Sequence, residues 1–147
     1  MGNSFTAYRG YGFWAPDSKV EVWLYFLCME IDRRGDLPQW LQNARFDWHH
    51  QATAGFMGCV SASLDQHVGE DPDRRARLLA VAVAAIGRLI SHGPMIPKEV
   101  LNSFGVGGDG AQFTQDQPIE VFRPVADAFM ALLRGDLTWN EATSPML

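Results

Sequence analysis

GFWAPDSKVEVWLYFLCMEIDRRGDLPQWL, residues Gly12 to Leu41, places a helix start, an apolar helix and a helix stop in succession. Asp17 is positioned to cap a first turn, and Val20, Trp23, Leu24, Leu27 and Ile31 recur at the spacing of one helical face. Val22, Tyr25, Phe26 and Met29 fill the other faces, so the helix is apolar nearly all round and is expected to be covered on several sides. Its apolar centre, bracketed by Glu21 and Glu30, is far shorter than the roughly 20 residues of a bilayer span, which makes it a core helix. Arg33 and Arg34 suit the negative end of the helix dipole, and Gly35 suits a left-handed C-terminal position. Asp36, Pro38 and Gln39 then read as a capping box for a second helix through Trp40, Leu41 and Ala44, extending toward Trp48.

Outward from this stretch, residues 1–16 interleave Gly2, Gly10 and Gly12 with Phe5, Tyr8, Tyr11, Phe13 and Trp14. Glycine at that spacing disfavours a helix, and the reading is an irregular aromatic lead-in docked on the core helix, with a short strand as the lesser option. Beyond the second helix, Gly55 and Gly58 mark a bend, and Ala62 to Val68 form a short helix before the acidic turn Gly69–Asp71. Residues 72–92 are the second strong helix: Asp71 caps it, Pro72 opens it, and Gly93 and Pro94 stop it. Lys98 to Phe104 is a short helical segment. Pro118 opens a last major helix that Pro124 kinks or restarts, ending at Gly135, and the tail 136–147 is loosely packed beyond Leu137 and Trp139. The expected fold is all-α: a compact single-domain bundle over residues 1–147 of about five or six helices. Residues 17–34, 72–92 and 118–134 are its main members, with 17–34 the buried centre.

Composition narrows the function classes. The chain has 147 residues, 47% of them apolar, which suits one domain with one core. The net charge of −5 opposes general nucleic-acid binding, whose affinity rests on neutralising phosphates. Charge is also uneven: residues 1–35 are neutral, 36–71 carry −4, 72–104 carry +3 and 105–147 carry −4. Cys28 and Cys59 form no CxxC pair and read as small buried hydrophobes of a reducing cytoplasm. The opening residues lack the basic and apolar regions of a cleaved secretory signal. Gly2 and Thr6 meet the loose myristoylation pattern, with no second membrane signal beside it.

Motif by motif, the chemical signals are sparse. His49, His50, Cys59, Asp65 and His67 are metal-capable, but their spacing matches no zinc pattern, and neither a metal nor a cofactor is expected. Gly105, Gly107 and Gly110 satisfy G-x-G-x-x-G without the preceding strand and following helix of a dinucleotide site, so a flexible surface loop is expected. Ser61 and Ser63 lack the strand-to-helix elbow of a serine hydrolase. Arg74, Arg75 and Arg77 cluster where the helix dipole disfavours them, as a solvated face or as partners of Glu70, Asp71 and Asp73; an anion-binding cluster is the alternative. No catalytic residue is assigned. Glu21 and Glu30 are the carboxylates to watch, since on a buried helix they must be paired, solvated or shifted in pKa.

At GFWAPDSKVEVWLYFLCMEI, LPQWL and ATAGFMGCVSASLD the chain resembles small bacterial immunity proteins of polymorphic-toxin systems, over roughly its first 65 residues. The resemblance implies a non-enzymatic inhibitor that binds a cognate toxin in the cytoplasm and occludes its active site. Independently, an acidic inhibitor suits a basic partner, with no role for nucleic acid or membrane. The expected contact regions are the acidic loops at Asp65, Glu70, Asp71 and Asp73, and at Asp109, Asp116 and Glu120. The alternative is a small helical enzyme or ligand-binding domain with a site near Glu21, Glu30 and His49. A third is a self-associating subunit using exposed aromatics.

Overall fold

The computed structural model describes residues 2–147. The chain starts with two antiparallel strands, β1 (Asn3–Tyr8) and β2 (Tyr11–Pro16), paired from Asn3 opposite Pro16 to Tyr8 opposite Tyr11. A second small antiparallel ladder joins β3 (Met95–Ile96) to β4 (Gln117–Pro118). With 52% helix and 12% strand the architecture is mixed, which corrects the all-α expectation.

The opening hairpin hides from hydrophobic periodicity because β1 buries the polar Ser4 and Thr6 where alternation would place apolar residues. Ser4, Thr6 and Tyr8 point inward along β1, while Phe5 is only half-buried and meets Trp14 of β2 at a tilt, ring centres 5.2 Å apart. Its two-residue turn, Arg9–Gly10, has φ of 54° and 86°, the left-handed pair of a type I′ turn whose twist matches the strands. Asp65 holds that turn by accepting the Arg9 amide at 2.9 Å, and the Tyr8 hydroxyl donates to the Gly69 carbonyl at 2.6 Å.

Helix α1 (Asp17–Asp32) is central: Trp23, Leu24 and Leu27 are buried, and α2 (Gln39–Thr53), α4 (Pro72–Ser91) and α6 (Arg123–Arg134) pack around it. Trp23 meets Phe129 of α6 edge-on at 5.7 Å. Two terminal details differ from the sequence reading. Pro16, not Asp17, is the N-cap of α1, and the helix ends at a right-handed Arg33 without a left-handed Gly35. The expected capping box is also absent, because α2 begins at Gln39 after Pro38 with no side-chain cap.

Between α2 and α4 the short α3 (Leu64–His67) follows the bend at Gly55 and Gly58. Helix α4 starts as its sequence predicts, with the Asp71 carboxylate accepting the amides of Asp73 at 2.9 Å and Arg74 at 3.3 Å. Asp71→Ala is therefore expected to cost about 1 kcal/mol, a fall of about 3 °C in Tm for a domain of this size, read by thermal denaturation. No change in Tm would mean that the cap is idle.

The segment between β3 and β4 holds α5 (Lys98–Ser103) and a glycine-rich loop. The Asn102 side chain grips that loop at both backbone groups of Phe113, accepting its amide at 2.7 Å and donating to its carbonyl at 3.1 Å. A 3-10 turn at Ile119–Val121 leads into α6, which Pro124 restarts in its first turn. Residues beyond α6 do not hang loose. Their backbone follows β2: Gly12 donates to the Trp139 carbonyl at 2.9 Å and Leu147 donates to the Trp14 carbonyl at 2.8 Å.

Candidate functional site

Asp17, in place of capping, ties three segments together. The Ser4 hydroxyl of β1 donates to its Oδ1 at 2.5 Å, and the Gly58 amide donates to its Oδ2 at 2.8 Å. Ser4 Oγ in turn accepts the Val60 amide at 2.9 Å, so hairpin, helix start and the bend after α2 share one buried polar knot. Both carboxylate oxygens of Asp17 are thereby engaged.

Glu21 follows one helical turn later and is only 5% exposed. It faces a cleft of about 430 Å³ whose walls are the bend at Gly55–Met57 and the glycine-rich loop from Val106 to Phe113. Burial pushes the Glu21 carboxyl up to about 7; the Asp17 charge adds to the rise, and the Gly107 backbone amide holds it back in part. The two walls meet backbone to backbone. Gly107 donates to the Ala52 carbonyl at 3.0 Å, and a Cβ on Gly55, where φ is +77°, would stand 2.8 Å from the Gly107 oxygen. The glycine pattern 105–110 thus serves as a docked wall over a buried carboxylate, where the sequence suggests a flexible surface loop.

The expected site near Glu21, Glu30 and His49 is not assembled. Nine residues separate the two glutamates along α1, about 13 Å of helix rise. Glu30 is buried among Arg33, Arg34 and Arg88, with N···O distances of 3.9, 3.9 and 3.6 Å. His49 lies 5.8 Å from the Tyr25 ring, ring centre to ring centre, and does not line the cleft.

The metal-capable residues are likewise dispersed. His67 Nε2 pairs with Asp47 at 2.7 Å, the His50 ring meets Phe56 edge-on at 5.2 Å, and Asp65 holds the hairpin turn. Cys59 is exposed, contrary to its reading as a buried hydrophobe, whereas Cys28 is buried and its thiol is pushed up to about 12, chiefly by that burial. Among the described residues no three His, Cys, Asp or Glu side chains converge on a metal-sized site. The arginines at the start of α4 do not converge on an anion either: Arg74 sits 5.3 Å over the Trp40 ring and donates to the His67 carbonyl, and Arg77 donates to the Asp36 carbonyl.

The acidic residues expected at a contact face form two groups, neither lining the cleft. Asp65, Glu70, Asp71 and Asp73 gather at the hairpin tip and the start of α4, where Arg9 also approaches Glu70 at 3.5 Å. Asp109, Asp116 and Glu120 sit on the glycine-rich loop and the turn before α6; Asp116 accepts the Lys98 amide at 2.9 Å and Glu120 lies 3.8 Å from Arg123. Sequence reasoning missed the apolar surface beside the cleft. Met57, 75% exposed, joins Phe56 on the cleft rim, and Phe56 packs on His50; Phe46, 76% exposed on α2, does not line the cleft.

No family model, curated protein or solved structure matches this chain. Among the described residues, no helix is long and apolar enough to cross a membrane.

Proposed function

We propose that the protein is a non-enzymatic binder of another protein, acting as an immunity protein that occludes a cognate bacterial toxin in the cytoplasm. The observation that carries this reading is Met57, three-quarters exposed on the rim of a cleft with a buried glutamate, with Phe46 equally exposed on α2. A large apolar side chain held in water beside a recessed acidic site is the anatomy of a binding anchor, since a few such residues supply most of an interface's energy. The partner is basic: the chain carries −5, and opposite charge speeds encounter and sets orientation. The two acidic groups, at Asp65–Asp73 and Asp109–Glu120, would frame the same partner by long-range attraction.

Co-expression with the toxin encoded by the adjacent gene tests this. Wild-type protein is expected to protect the cell and to form a stoichiometric complex with the purified toxin domain. The double variant Phe46→Asp, Met57→Asp is expected to fold normally, because both side chains are in water, and to bind at least a hundredfold more weakly. Absence of protection by the wild type overturns the proposal, as does a complex indifferent to both substitutions.

A further inference from the structure

The cleft itself has a chemistry that the apolar rim does not explain. Asp17 is spent on Ser4 and Gly58, whereas Glu21 has no side-chain partner, and among the described residues no lysine, arginine or histidine lies within 4 Å of it. It is nine-tenths buried and lines the cleft, with Phe56, Met57, Val106 and Phe113 on the walls. A buried carboxylate with an opening before it and apolar sides around it is complementary to one kind of group.

We infer that the cleft is a receptor for a single organic cation on an apolar stem, an alkylammonium or alkylguanidinium, with Glu21 as its charge partner. Three observations select that class. A hard metal ion is disfavoured, because calcium takes six to eight oxygen ligands and only one carboxylate is uncommitted. Phe56 and Phe113 offer aromatic surface to a cation and its methylenes alike. The 430 Å³ volume is of small-ligand size. The positive end of the α1 dipole borders the cleft at Pro16–Ser18, and the Asp17 carboxylate in that first turn offsets it. The natural source is a lysyl or arginyl side chain of the toxin, a clause that rests on the function proposed above; the site does not.

n-Butylammonium and n-butylguanidinium, titrated into the full-length protein and followed by amide chemical shifts and calorimetry, test the site. Both are expected to bind saturably at pH 8.5 with Kd in the millimolar range, shifting the amides of Gly55–Met57 and Val106–Phe113, while n-butanol does not. Glu21→Gln is expected to weaken cation binding at least tenfold without loss of the folded spectrum. Among the described residues, Asp17 is the other titratable side chain lining the cleft; the bend and the glycine-rich wall contribute none there. With the Glu21 carboxyl at about 7, lowering the pH from 8.5 to 5.5 is expected to weaken binding about thirtyfold. Equal binding by Glu21→Gln, equal binding of n-butanol, or shifts confined to another surface would overturn the inference. Cation binding in a protein that gives no protection from the toxin would remove the proposed function and leave this site standing.

Discussion

Trp48→Ala is expected to destabilise the protein by about 4 kcal/mol, lowering the ratio of folded to unfolded molecules about a thousandfold. Trp48 is 0% exposed, its ring meets His67 edge-on at 5.8 Å, and its indole N–H donates to the Ala62 carbonyl at 2.7 Å. Truncation forfeits the packing of a fully buried tryptophan and strands a buried carbonyl, and both penalties act together. Trp48→Phe separates them. It keeps most of the ring and loses the hydrogen bond, for an expected cost of about 1–3 kcal/mol. Equilibrium unfolding in urea reads both. A loss below about 1 kcal/mol for the alanine variant would show that the segment after α2 is not held through this ring.

The second large effect is on pH dependence. The folded Glu21 carboxyl, at about 7 against an ordinary 4.5, holds its proton more tightly than the unfolded chain does. Stability from this group is therefore complete below about 4.5, declines as pH rises through the interval to 7, and is flat above it. The loss is on the order of 3 kcal/mol. Glu21→Gln should remove it: the variant is expected to match the wild type near pH 4.5 and to be the more stable protein at pH 8. Parallel urea titrations at the two pH values test this, and an identical pH profile for both proteins would contradict it. A side chain that costs stability at neutral pH, where glutamine would not, is the signature of a group kept for binding.

Helices α1 and α4 were legible because their signals are local. Asp71 and Pro72 start α4 as helix-start chemistry requires, and the apolar residues of α1 repeat at its own period. The hairpin was not, because Ser4 and Thr6 occupy the positions where alternation would place apolar residues: Ser4 is buried in the Asp17 knot, and Thr6 is buried with its hydroxyl unpartnered among the described residues. Asp17 was misread for the same reason: helix-start chemistry and a tertiary hydrogen bond ask for the same side chain. Glu21 could be picked out as a buried carboxylate. Its cleft could not, since the wall comes from Gly107, 86 positions away, and only the glycines of both loops hint that two backbones meet. Phe46 and Met57 carry no local signal, because exposure is decided by what the rest of the chain fails to cover.

The tail along β2 has a consequence for assembly. A two-stranded hairpin has unpaired edges, and an uncovered edge is a template for strands of other molecules. On β2 that edge is occupied: Gly12 and Leu147 make backbone bonds across it, and the Trp14 amide donates to Ser144 Oγ at 2.9 Å. The final residues thus work as a guard against edge-to-edge aggregation, a protective duty added to the packing of Trp139 and Leu147 against the core.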